Sequence, residues 1–379
     1  MGKGNLIEVS YPPRVAWFLT LEKSDNNTAR KKNMTRLYEF ELGKAARILV
    51  EELFGLKPGE TMVITADTES NEQVVNATAQ AVFAAGGKPV VLWLASPLGV
   101  GKAADSMLPE AVLVAALRSA DAWVEYNNQW IFYSTAYDKV YKDDCALRHL
   151  CLVGMNPDMM VRCIGRINHP ALKAFQDRLA DLIKSSHHVR IASDAGTDIE
   201  FDNYPGRNVL CRDGYALTPG SHMMSGQMSW APALETLNGT IVFDGSINPP
   251  TGLLDAPVCL TVKAGVVTKV EGSRQAQAFD AWLRGFNHPQ MLRIAHSSLG
   301  FNPGARLTGD VAEDERIWGA TEWGIGNIGK QLIPNGVPGP SHCDGICLNT
   351  SIWFDGVRFT KDGQLCLEEF IALEKVIRQ

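Results

Sequence analysis

The chain lacks any Cys-x-x-Cys pair: Cys145, Cys151, Cys163, Cys211, Cys259, Cys343, Cys347 and Cys366 show no framework spacing, and only Cys343 and Cys347 stand close. A disulfide-stapled scaffold is excluded, and reduced, mostly buried thiols are expected. No apolar run reaches the roughly eighteen residues of a membrane span, and no charged-then-apolar leader opens the chain, so a cytoplasmic protein is expected. Position 6 is Leu6, which leaves the Met1-Gly2 start without the Ser or Thr of a myristoylation signal. Basic residues are scattered apart from Arg30-Lys31-Lys32, and the net charge is -6 with a pI near 5.8. Nucleic acid and anionic membranes are thereby excluded as partners. The turn Asp67-Thr68-Glu69-Ser70-Asn71 contains no glycine, which excludes a dinucleotide-binding phosphate loop after the first strand. Internal repeats and low-complexity segments are also absent.

What is present is a soluble globular composition over 379 residues, with 45% hydrophobic and 21% charged side chains, a length that implies two domains. Residues 1–35 read as an N-terminal arm. Residues 37–56 carry apolar side chains at helical spacing up to Gly55 and Pro58. From Glu60 onward short continuous apolar runs alternate with helical patterns, which implies a parallel sheet covered on both faces. After about residue 187 the strands shorten and turns multiply, with one helical pattern over residues 273–286. The expected architecture is an α/β domain over 36–186 with a mostly parallel sheet, followed by a mostly antiparallel α+β domain over 187–379 that carries a metal site.

Residues 291–356 hold most of the candidate chemistry: His296, Glu313, Asp314, Glu315, Glu322, His342 and Asp344 lie on short apolar runs broken by Gly and Pro. Strand side chains alternate, so His342 and Asp344 project to one side and Cys343 to the other. That supplies two ligands of a metal site. An imidazole beside a solvated carboxylate would look the same in sequence, and a single His296 on an apolar strand also reads as a hydrogen-bonded core residue. The Glu313-Asp314-Glu315 turn reads as a solvated face.

Three stretches carry a resemblance: VRIASDAGTDIEF (189–201), SGQMSWAP (225–232) with NGTIVFDG (238–245), and 291–356. Together they resemble the thermophilic metallo-aminopeptidases T and S and their offshoot, the 2,5-dihydroxypyridine 5,6-dioxygenases, over about residues 36–370. In the peptidases glutamates and histidines hold two metal ions, and the resemblance places those ligands on Gln227, His296, Glu315, Glu322, His342 and Asp344. The peptidase pattern has Glu in place of Gln227, Glu in place of His296 and His in place of Glu322. Gln227 offers no anionic bridging oxygen, which weakens a two-metal cluster. The remaining His296, His342 and Asp344 match the dioxygenase offshoot and form the donor set suited to non-haem Fe(II).

The resemblance therefore implies an extradiol-type, ring-cleaving Fe(II) dioxygenase acting on a dihydroxypyridine-like aromatic substrate with O2. His222, five residues before Gln227, reads either as an acid or base beside the metal or as a surface-loop histidine, and Glu322, which replaces a peptidase ligand, as a carboxylate on a ligand imidazole or as a fourth ligand. Gln227, Tyr126 and Trp323 are expected at the substrate, the aromatic two by stacking, as is Trp230, although core packing explains each of the three aromatics equally well. A homo-oligomer, dimer or larger, is also implied. The competing class is a hydrolase with Zn2+ or another divalent ion on the same three ligands and Glu322 as general base. A third is a non-catalytic binding module.

Overall fold

The computed structural model describes residues 39–378, so the arm expected over 1–35 lies outside the described residues. Strands Thr61–Asp67, Lys88–Leu94, Ala122–Glu125 and Arg148–Cys151 lie parallel, with Thr61–Asp67 between the Lys88 and Ala122 strands. Thr61–Asp67 is buried from its second residue onward, as a central strand covered on both faces must be. The helix Glu72–Ala84 starts without glycine because the Asn71 side chain accepts the Gln73 and Val74 amides. It stops at Gly86, whose φ of 79° is the left-handed conformation that favours glycine there.

Two antiparallel sheets follow. The eight-stranded sheet includes His188–Ala192, Asp198–Asp202, Asn238–Phe243, Val258–Lys263 and Ser351–Phe354. The seven-stranded sheet has Thr321–Ile328 paired between Ile294–Gly300 and Val337–Cys347, with Gln227–Trp230 beyond Ile294–Gly300. These sheets share one core. Phe201 of the first meets Trp323 of the second edge to face at 5.8 Å, and Trp230, Phe243, Ile325 and Cys343 fill the same interior.

The expected boundary at residue 186 is crossed twice. The His169–Ser185 helix buries Leu172, Phe175, Leu179 and Ile183 in the core of the antiparallel sheets, and Gly220–Met223 returns to pair in parallel with Arg148–Cys151. The second crossing joins strands distant in sequence, which apolar patterning does not record. The helical pattern at 273–286 is realised as Arg274–Gly285.

Candidate metal centre

With Trp323 and Cys343 turned into the core, Glu322, Gly324, His342 and Asp344 face the other side of the seven-stranded sheet. His296 joins them through an irregularity. Ile294 pairs with Ile325 and His296 with Gly324, so two residues on one strand face one on the other. Ile294 lies in the core, and strict alternation would send His296 after it. The extra residue, Ala295, turns the imidazole outward, a usual role of a bulge beside a site. His296, Gly324 and Asp344 then stand in one row across three strands. A Cβ on Gly324 would collide with the His296 ring, so the glycine leaves the space that lets the imidazole reach Asp344.

His342 Nε2 lies 3.0 Å from Asp344 Oδ1 and 3.2 Å from His296 Nε2, and His296 Nε2 lies 3.5 Å from Asp344 Oδ1. The outer nitrogens are held from behind. His342 Nδ1 donates to the Asn327 carbonyl at 2.8 Å, while His296 Nδ1 has Ser298 Oγ at 3.3 Å and Glu322 Oε1 at 3.4 Å. A neutral imidazole carries its hydrogen on one nitrogen only, so both Nε2 atoms present lone pairs beside a carboxylate oxygen. Such a convergence of donors repels itself unless a cation or proton lies among them. His296, His342 and Asp344 thus fit a dication, and Glu322 Oε1, buried with no hydrogen-bond partner among the described residues, lies behind the His296 imidazole.

Burial pushes the His296 imidazole down to about 4, which keeps the ring neutral. Burial opposes charge on His342 too, but the Asp344 carboxylate outweighs it and holds the ring above the ordinary histidine value. Burial alone would raise Asp344, yet His342 and His296 hold it down to about 2.

A second set of carboxylates approaches Asp344: Glu322 from the adjoining strand and Glu315 from the end of the Val311–Asp314 helix. Burial pushes Glu315 up to about 7 and raises Glu322 well above the carboxylate range, with Asp344 and Glu315 adding to the latter. Gln227 fills the space between them: its Nε2 donates to Glu322 Oε2 at 2.7 Å and to Glu315 Oε2 at 2.9 Å. Arg316 completes the cluster, with Nη1 2.9 Å from Glu315 Oε2 and Nη2 3.3 Å from Gln227 Oε1. An amide and a guanidinium therefore sit where two carboxylates would otherwise demand a second cation.

Over residues 48–367 the sequence matches the family described as NicX, 2,5-dihydroxypyridine 5,6-dioxygenase. The chain belongs to that dioxygenase family. It is 28% identical over 133 residues to the 2,5-dihydroxypyridine 5,6-dioxygenase of Pseudomonas putida, a stretch spanning 34% of this chain and 37% of that relative. The fold is that of the solved 2,5-dihydroxypyridine dioxygenase from Pseudomonas putida, with a TM-score of 0.72 at 19% identity over 88% of this chain and 99% of that one. It is shared with wild-type AmpT from Thermus thermophilus, at a TM-score of 0.66 and 13% identity over 87% of this chain and all of that one (100%). Dioxygenase and aminopeptidase-like scaffolds thus have one architecture, and no described helix is long and apolar enough to cross a membrane.

Several sequence-derived assignments in this dioxygenase family member need correction. Tyr126 is 1% exposed, and its hydroxyl lies 2.8 Å from Thr78 Oγ1 in the core of the parallel-sheet layer, so it is no stacking wall. Trp323 and Trp230 are 0% exposed in the core between the antiparallel sheets, because alternation puts them opposite the site residues next to them. His222 belongs to the Gly220–Met223 strand and its Nε2 is engaged by the Thr218 carbonyl at 2.9 Å. Among the described residues no hydrogen bond or ion pair joins it to the three metal-site residues. Gln227 is 5% exposed and touches the carboxylates, so it acts on the site from beside it. The acidic turn is not a solvated face. Glu313 is 0% and Asp314 1% exposed, tied to Arg162 and to Ser246, while Glu315 reaches the site through Gln227.

Sequence reasoning missed Arg316, Ser298, Gly324 and the Asn327 carbonyl. The signal for Arg316 was its place directly after three acids, which a buried turn would need for charge balance.

Proposed function

We propose that this chain is a mononuclear non-haem Fe(II) dioxygenase that opens the ring of a dihydroxylated pyridine or a closely related electron-rich aromatic, consuming O2. The convergence of His296 Nε2, His342 Nε2 and Asp344 Oδ1 carries the reading. His296, His342 and Asp344 would hold the iron, and the bound metal would supply the oxygen chemistry. The Asn327 carbonyl and Ser298 Oγ engage the outer nitrogens of His342 and His296, so both rings are oriented before substrate arrives. The His342 side chain is 31% exposed against 10% for His296, which makes its side the approach for substrate. Glu322 and Glu315, raised by burial, are the nearest groups able to hold a proton beside the reacting ring, with Gln227 and Arg316 keeping them in place. On the same reading the protein is cytoplasmic and works as a homo-oligomer.

The grouping of Glu315 and Glu322 with Asp344 favours one second reading, a metal-dependent hydrolase using a dication such as Zn2+. Anaerobic purification, Fe(II) loading and an oxygen electrode separate the two. One O2 taken up per dihydroxypyridine consumed, abolished in His342→Ala, is the expected result. Amide cleavage with Zn2+ and no oxygen uptake with Fe(II) would replace it with the hydrolase.

A further inference from the structure

The parallel sheet carries a second cluster of donors on one face of its carboxyl-terminal end. Its register sets Glu125 opposite Cys151, Trp123 opposite His149, and His149 opposite Ser221. Trp123 stacks on His149 at 3.7 Å, so these side chains share one face. Glu125 and His149 are 0% and Cys151 is 6% exposed. His149 Nε2 stands 3.2 Å from Glu125 Oε2, and neither atom has a hydrogen-bond partner among the described residues. One donor atom each from Glu125, His149 and Cys151 fall within 4.8 Å of one another.

We propose that Glu125, His149 and Cys151 bind a dication of the zinc type at a site separate from the His296 centre. Three observations converge. The first is spacing: tetrahedral bonds of about 2.0 Å to nitrogen and oxygen put those atoms about 3.3 Å apart, close to the separation seen. The second is support from behind, the arrangement that orients metal ligands. His149 Nδ1 is 2.9 Å from Ser221 Oγ, which is 2.8 Å from the Tyr137 hydroxyl, and Glu125 Oε1 accepts the Ile131 and Phe132 amides. The third is charge: a thiolate and a carboxylate together neutralise a dication, whereas without one Glu125 is a buried anion facing a ring edge. Binding releases the Cys151 thiol proton to solvent and changes no oxidation state. The ion would pin the 126–134 segment to the sheet, since Glu125 holds two of its amides.

Cobalt(II) substitution of the full chain under anaerobic conditions tests this. Only a thiolate ligand gives an intense near-ultraviolet sulfur-to-cobalt charge-transfer band, and Cys343 of the His296 region faces the core. The expected result is that band in the unmodified protein, with one cobalt per chain more than the His296 centre binds. Cys151→Ser and His149→Gln should each lose the band and that one equivalent. His342→Ala should lose the other equivalent and keep the band, which separates this site from the dioxygenase reading. Absence of the band in the unmodified protein at saturating cobalt, or its survival in Cys151→Ser, overturns the proposal and leaves Glu125 and His149 as a buried contact between a carboxyl group and an imidazole.

Discussion

Gln227 Nε2 donates to Glu322 Oε2 at 2.7 Å, so an amide hydrogen occupies the direction in which a bridging cation would lie. The same nitrogen serves Glu315 at 2.9 Å, and Arg316 neutralises what charge remains. One residue type thereby limits the carboxylate side of the site to hydrogen bonds. The imidazole side keeps its open lone pairs.

Gln227→Glu should reverse this. The metal-free variant gathers an additional buried carboxylate and should lose about 3 kcal/mol of stability, read from denaturant midpoints. Added dication should restore it, with elemental analysis finding one more ion per chain than in the parent. An unchanged metal count would show that the amide does not guard a cation seat.

Gly324→Ala tests the row through His296, Gly324 and Asp344. The new Cβ overlaps the imidazole and must push it off Asp344. Metal affinity, measured by chelator competition, should fall about 10- to 100-fold, while the metal-free melting temperature stays within a few degrees. Parental affinity would mean that His296 does not need this space.

Tyr126→Phe discriminates core from substrate wall. It deletes the bond to Thr78 and should cost about 1 kcal/mol of stability with no change in KM. A raised KM at unchanged stability would return Tyr126 to the substrate.

His169 sets a pH dependence remote from the metal. Burial holds its pKa below the ordinary 6.5 despite a 3.0 Å contact to the Ile164 carbonyl. Below pH 6.5 the unfolded chain takes up a proton that the folded one refuses, so stability falls as pH drops from there toward the lowered folded value. Compared with His169→Asn, the unmodified protein should lose up to about 1.4 kcal/mol more per pH unit in that window. Parallel acid limbs of the two denaturation curves would remove His169 as the source.

What the amino-acid order settles by itself is periodic. Continuous apolar runs at Thr61–Asp67 and Ala122–Glu125 dictate a covered parallel sheet, and the two-residue repeat of a strand puts His342 and Asp344 on one side. These follow from backbone geometry a few residues long. Placement of His296 does not, because the bulge at Ala295 exists only where Ile294–Gly300 pairs with Thr321–Ile328, and without it the imidazole would share the fate of Ile294. Gln227 likewise meets Glu322 only through the pairing of Gln227–Trp230 beside Ile294–Gly300, and Glu313 becomes a core anion only when Arg162 arrives from 151 positions away. Period is local and written in residue type, whereas register and the burial of charge are decided by which distant strands close on one another.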